Sequence, residues 1–146
     1  MINAGQATST LALYDILVDS VEFKMNEGCK YLDEENLRLG FDSKTYESED
    51  GTSYKITTTT VVNDKENRDI NIKLVMSGYF GFRDEGELSE EQRDHFIEKN
   101  TLAIIFPYIR SYITNLTAQS GGKPIIIPPI NINMLLEDAP EEEEDQ

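Results

Sequence analysis

Reactive and metal-binding side chains are scarce in this chain: one cysteine, Cys29, and one histidine, His95, in 146 residues. A lone cysteine excludes an internal disulfide and fits a reducing compartment. The pair also falls short of the roughly three or four Cys and His ligands a structural zinc ion takes, so no metal site is expected. No stretch approaches the ~18 consecutive apolar residues of a membrane span, and no basic-then-apolar leader opens the chain. A soluble, cytoplasmic protein with no membrane insertion is expected. Basic residues are few, 13 against 28 acidic, for a net charge of −15. Such a surface repels nucleic-acid phosphates and anionic lipid, which argues against nucleic acid as a partner, and it draws in basic segments.

Enzyme signatures are missing as well. There is no phosphate-cradling loop, no dinucleotide fingerprint and no nucleophile motif. His95 has acidic neighbours, Asp94 and Glu98, but no nucleophile to serve, and reads as part of a solvated helix face. "DSKTYESEDG" lacks the spacing of a calcium loop. No catalytic residue and no cofactor are expected, and the length fits one domain with a real core.

What is present is alternation. "LALYDILVDSVEFK" (11–24) reads as a strand, with Tyr14, Ile16 and Val18 on one face and Val21 and Phe23 on the other. A bulge near Asp19–Ser20 would bring all five to one side. "NLRLGFDSKTYES" sets Leu37, Leu39 and Phe41 against Arg38, Gly40 and Asp42, and "EDG" at 49–51 is a hairpin signal. "TSYKITTTTVVN" is rich in β-branched residues. After the polar turn "DKENRD", "INIKLVMSGYFGF" makes a fourth strand in which Gly78 and Gly81 mark a bulge or a close backbone approach. Strands joined by hairpins give an antiparallel meander.

Helical signals follow. Ser89 can cap "EEQRDHFIEKN", and Asn100 can cap the next helix. On that helix Leu102, Ile105, Phe106, Ile109, Tyr112, Ile113 and Leu116 share one stripe. "SGG" (120–122) stops it, "KPIIIPPI" must be extended, and Asn131 can cap a short last helix through Leu136. The fold class expected is α+β: a four-stranded antiparallel meander with a long C-terminal helix and a short last helix on one side. Residues 1–136 form the domain, and 137–146 ("EDAPEEEEDQ" from Glu137) form a disordered acidic tail. The long helix carries Pro107, a residue that costs ~3 kcal/mol inside a helix and must be offset by burial. Ile104 and Tyr108 fall outside the stripe. Either a second copy of the helix covers them or they widen the buried face.

"IIFPYIRSYITNLTAQSGGKPIIIPPININMLL" resembles the C-terminal signature of the SecB protein-export chaperone family: Phe106, Pro107, Tyr108 and Arg110, an apolar helix, Gly121–Gly122, a Pro-bearing loop from Pro124, then Pro129, Asn131 and Leu135. The upstream strands follow the family order, so the resemblance spans nearly the whole chain. It implies a sheet carrying two helices, a dimer or dimer of dimers, and the long helix at the subunit contact through Ile104, Tyr108 and Tyr112. It implies an ATP-independent holdase that binds unfolded polypeptides or preproteins in apolar grooves. By the same match Leu37, Leu39 and Phe41 line a groove, Ile130 and Ile132 face them, and Ile125, Ile126 and Ile127 lie near. From the residues alone, each of these positions reads first as plain core, and the family match brings Leu37, Leu39 and Phe41 level with a groove.

The resemblance also has gaps. The family's basic, zinc-binding tail is replaced by "PEEEEDQ", and the places of its acidic contacts to the motor SecA hold Lys24 and Lys73, with Glu22 adjacent. Engagement of SecA is left open. A SecB-like chaperone dedicated to a toxin–antitoxin pair, or one carried on a mobile element, is the alternative reading. A further one is an acidic decoy that inhibits a nucleic-acid-binding protein, which would depend on the tail.

Overall fold

A computed structural model describes residues 11–26, 36–64, 69–82 and 90–131. Four strands, β1 (Leu11–Met25), β2 (Leu37–Glu47), β3 (Ser53–Asp64) and β4 (Ile70–Phe82), precede one helix, α1 (Glu90–Gln119). The hairpins expected from the turn signals form: β2 pairs with β3 and β3 with β4, all antiparallel. β1 joins outside this meander, against β4, so the spatial order is β1-β4-β3-β2. The sheet therefore has two edge strands, β1 and β2, and two central ones.

Turn chemistry fixes the register. Between β2 and β3, Gly51 adopts a φ of 71°, which a residue without Cβ takes at no cost. The Asp50 carboxylate accepts bonds from the Ser48 hydroxyl (2.6 Å), the Thr52 hydroxyl (2.8 Å) and the Thr52 N–H (3.1 Å). At the end of β3, the Asp64 carboxylate accepts from the Asp69 and Ile70 N–H groups at 3.2 and 3.4 Å. In β3 every second residue from Tyr54 to Asp64 is buried, the period of a strand with one face against a core. β1 slips register twice, between Leu13 and Asp15 and between Val18 and Ser20. The second slip is the expected bulge. It sets Ile16, Val18, Val21 and Phe23 opposite Gly78, Met76, Leu74 and Ile72, on one face. The first slip leaves Tyr14 out of that set.

The expectation of two helices is overturned: the described residues hold one. The break expected at Asn100 does not occur, because α1 runs through it. Thr101, next in the chain, is fully buried, and its hydroxyl donates back to the Ile97 carbonyl at 2.6 Å, so its polar group is satisfied without leaving the helix. The short helix expected through Leu136 lies, beyond Asn131, outside the described residues. From Lys123 to Asn131 the chain is extended, and the expected tail 137–146 also falls outside the described residues.

α1 packs Leu102, Ile105, Phe106, Ile109 and Ile113 onto Ile56, Val62, Ile72, Leu74 and Phe80 of the sheet. Each such side chain contributes about 1.5–3 kcal/mol when fully buried. Pro107 is on the open side, as is Ala103, whose carbonyl it deprives of a helical donor. The helix ends at Gly121, with φ 90°. Among the described residues no helix is long and apolar enough to cross a membrane.

Candidate functional site

One helix covers the middle of the sheet and leaves its edges partly bare. On the helix side, Ile56, Ile72 and Leu74 of the central strands are fully buried. The same face of edge strand β2 presents Leu37, Leu39 and Phe41, set opposite Asp64, Val62 and Thr60 of β3. Leu37 and Phe41 are half-buried against the core, and Leu39 is 40% exposed. The Phe41 ring meets Phe106 of α1 edge-on at 5.8 Å, an arrangement the ring quadrupoles favour. The three side chains thus form an ordered apolar strip anchored at one end by an aromatic pair and open at Leu39. The strip stops at Ser43, where polar residues take over the face.

The extended segment after α1 lies on a polar stripe of the helix. Arg110, Thr114 and Thr117 are spaced four and three apart, so they share a face. Thr117 Oγ1 accepts the Ile125 N–H at 2.8 Å, Thr114 Oγ1 donates to the Ile125 carbonyl at 2.8 Å, and Arg110 Nε donates to the Ile127 carbonyl at 2.7 Å. Held this way, the segment alternates like a strand: Ile125 and Ile127 turn into the core, and Ile126 is 60% exposed. Of the three isoleucines expected at a client groove, Ile125 and Ile127 thus have buried side chains and Ile126 an open one. The sequence run of three isoleucines carries no sign of which one points out; the polar stripe on the helix decides it. Ile126 and Ile127 line an open groove of about 300 Å³ with Pro107, Arg110, Ser111, Thr114 and Asn115. Ile130 is half-buried against the core, and Ile132 lies outside the described residues.

The residues expected at a subunit contact fall in two settings. Tyr108 is 49% exposed, whereas Ile104 and Tyr112 are half-buried against the core. From Thr101 to Gly122 the only charged residue is Arg110, and it is engaged with Ile127. From Thr101 onward the outward face of α1, with Ala103, Pro107, Tyr108, Ser111 and Asn115, is therefore uncharged in a strongly acidic chain. β1 adds what sequence reasoning missed. Val18 and Val21 stand on the helix side at the sheet edge, 41% and 38% exposed. The bulge predicted their face, but their exposure follows from β1 lying at the edge, which no local pattern encodes. His95 is exposed, and among the described residues no group of three potential metal ligands converges.

A family profile described as "SecB: Preprotein translocase subunit SecB" matches residues 5–143. The chain is 28% identical over 130 residues to an uncharacterized protein of Methanocaldococcus jannaschii, covering 84% of this chain and 79% of that one. It is 23% identical over 135 residues to the protein-export protein SecB of Aromatoleum aromaticum, covering 91% and 85%. Its fold is similar to that of a Mycobacterium tuberculosis SecB-like chaperone solved in complex with a ChAD peptide from the HigA1 antitoxin. There the TM-score is 0.65 at 12% identity, over 84% of this chain and 88% of the other.

Proposed function

This chain belongs to the SecB family, a family of non-catalytic chaperones, and from that premise we propose that it holds unfolded polypeptide on the strip of Leu37, Leu39 and Phe41. The observation that carries the proposal is an apolar strip left open on an ordered edge strand, with Leu39 40% exposed beside the Phe41–Phe106 pair. Surface of this kind binds by burial of side chains and backbone addition, with no strict readout of sequence. No nucleotide is needed for it. The acidic body speeds encounter with basic client segments.

The client is a dedicated one, in our reading, of the toxin–antitoxin kind or another single polypeptide. Lys24 and Lys73, set opposite Asn71 and Glu22 on the outer sheet face, stand where acidic contacts to a translocase motor were expected. The Mycobacterium tuberculosis chaperone of the same fold was solved with an antitoxin peptide. Export of preproteins, the role printed for the Aromatoleum relative, is the second reading. Self-association completes the proposal: the uncharged outer face of α1 around Tyr108, with Val18 and Val21, meets a second copy.

The test is suppression of aggregation of a chemically unfolded client. Leu39→Asp should lose most of the holding while circular dichroism and melting stay unchanged, since Leu39 is already part-exposed. Full retention of holding by that variant would overturn the proposal. Competition between unrelated unfolded clients separates the two readings: a dedicated chaperone favours one by more than about tenfold, which is ~1.4 kcal/mol. Native mass should be a multiple of the 16.6 kDa chain, and a lone chain sinks the self-contact.

A further inference from the structure

The face of the sheet turned away from α1 gathers tyrosines at one end. Tyr46 of β2 pairs with Lys55 of β3, and Lys55 with Tyr79 of β4, so the three stand in one row across the sheet. Lys55 Nζ lies 5.9 Å from the centre of the Tyr46 ring and 5.6 Å from that of Tyr79, and Lys44 Nζ lies 5.4 Å from the Tyr46 ring. These contacts hold the rings in place at the surface. Tyr14 of β1 lies over Gly81, where a Cβ would overlap its ring, and it is 65% exposed. The three rings border an open hollow of about 390 Å³ together with Lys55, Glu47 and Ser53. Charge in the hollow is balanced, one ammonium against one carboxylate. Hydrogen-bonding capacity is not: the hydroxyls of Tyr14, Tyr46 and Tyr79 have no protein partner among the described residues.

We propose that this hollow docks a proline-rich segment of a partner protein, in the polyproline II conformation, with a basic residue beside its prolines. Spacing is the first support. Tyr46 and Tyr79 stand two strands apart, or about 9.4–9.8 Å. Residues three apart in polyproline II are separated by ~9.3 Å. A segment laid across the strands therefore sets two prolines of a Pro-x-x-Pro repeat against the two rings. Donors and acceptors are the second. Proline has no N–H, and polyproline II leaves its carbonyls unbonded, so the segment is rich in acceptors. The hollow supplies the donors: tyrosine hydroxyls and the Lys55 ammonium. Charge complementarity is the third. Glu47 Oε1, which accepts from the Tyr54 hydroxyl at 3.4 Å, lines the β2 end of the hollow. Asp15 stands opposite Tyr79 at the β1 end. A cation flanking the prolines meets a carboxylate at either end, and a net charge of −15 draws it in. Prolines also bring a fixed φ, so docking orders little that is not ordered already. The hollow and the Leu37–Phe41 strip lie on opposite faces of the sheet, so this docking is independent of client holding.

Fluorescence anisotropy of a labelled peptide with Pro-x-x-Pro repeats and flanking arginines, titrated with the full chain, tests the site. Binding should saturate. A matched peptide with glycine at the prolines, and one with glutamate in the flanks, should each bind about tenfold more weakly. Tyr46→Ser, at an exposed position, should weaken the proline peptide by about tenfold as well, whereas Leu39→Asp should leave it unchanged. In the unaltered protein, NMR shift changes on binding should centre on Tyr14, Tyr46, Lys55 and Tyr79. No binding, equal affinity for the proline and glycine peptides, shifts centred elsewhere, or loss of binding in Leu39→Asp would each overturn the proposal; the last would place the peptide on the client strip instead.

Discussion

Thr117 and Thr101 allow one hydrogen bond to be weighed almost alone. Both are threonines of α1, both are fully buried, and both return their hydroxyl to the carbonyl four residues back, Thr117 to Ile113 at 2.9 Å and Thr101 to Ile97 at 2.6 Å. They differ in one respect: Thr117 Oγ1 also accepts the Ile125 N–H at 2.8 Å. Valine keeps the shape of threonine and removes the hydroxyl. In Thr101→Val the Ile97 carbonyl keeps its helical donor, so the change should cost no more than about 1 kcal/mol, of either sign. In Thr117→Val the Ile125 N–H is left buried without an acceptor, which adds ~1–3 kcal/mol. Ile125 and Ile127 still bury their side chains, at about 1.5–3 kcal/mol each, so the segment stays seated but opens more often. For a chain of this size the excess corresponds to a further fall in melting temperature of roughly 2–4 °C per kcal/mol. Melting curves of the two variants at one protein concentration, with peptide-level hydrogen exchange over 123–131, provide the measurement. Exchange in that segment should rise about 5- to 150-fold in Thr117→Val beyond Thr101→Val. Equal losses in the two variants, or a Thr117→Val effect spread evenly over the sheet, would refute the assignment of these three bonds as the clasp of the segment.

Two further expectations concern the sheet. Thr60 Oγ1 is buried without a hydrogen-bond partner, on the core face of β3 between Phe41 and Leu74 in the ladder. Thr60→Val should therefore stabilise the protein by about 1–2 kcal/mol in urea titration, and a lower midpoint would show that the hydroxyl has a partner in solution. Asp50 titrates at about 2, below the ordinary 3.8, because the Ser48 and Thr52 hydroxyls and the Thr52 N–H bond its charged form. The depressed value means that the turn's contribution is complete above pH 3.8 and is lost as pH falls through 2. A carboxyl titration by NMR with a midpoint near the ordinary value would contradict that geometry.

Local chemistry carried the elements that the sequence revealed. Alternation gave the strands, Glu49-Asp50-Gly51 the hairpin, and the parity change after Val18 the bulge, because each is decided within a few residues. The errors came from long-range contacts. Asn100 reads as a cap, yet continued burial of Ile97, Thr101, Leu102 and Ile105 carries the helix through it. Gly78 and Gly81 left a bulge and a close approach undecided; the structure gives close approaches, by the Phe80 ring at Gly78 and the Tyr14 ring at Gly81. Which isoleucine of 125–127 faces out depends on three polar side chains that precede them by 8 to 17 positions. The strip at Leu37, Leu39 and Phe41 was legible as one face of a strand. Its openness depends on β2 being an edge, which is a fact of strand order.

Strand order also bears on whether the two proposed contacts compete. A helix with its side chains is ~10–12 Å across, and four strands with theirs are wider, so one helix seals the two central strands and leaves both edges part-open. Val18 and Val21 are part-exposed on β1 and Leu39 on β2, at opposite edges of the sheet. A second copy that covers Val18, Val21 and Tyr108 therefore need not touch Leu39. On the proposed reading, the apolar area left on β1 and α1 would drive association, and the area left on β2 would remain for a client. Had the chain been a plain meander, β1 would lie beside β2 and both strips would share one side of the helix, so a subunit and a client would compete for them. Placing β1 on β4 instead separates the two strips by the width of the sheet, so the proposed assembly could form first and hold a polypeptide afterwards.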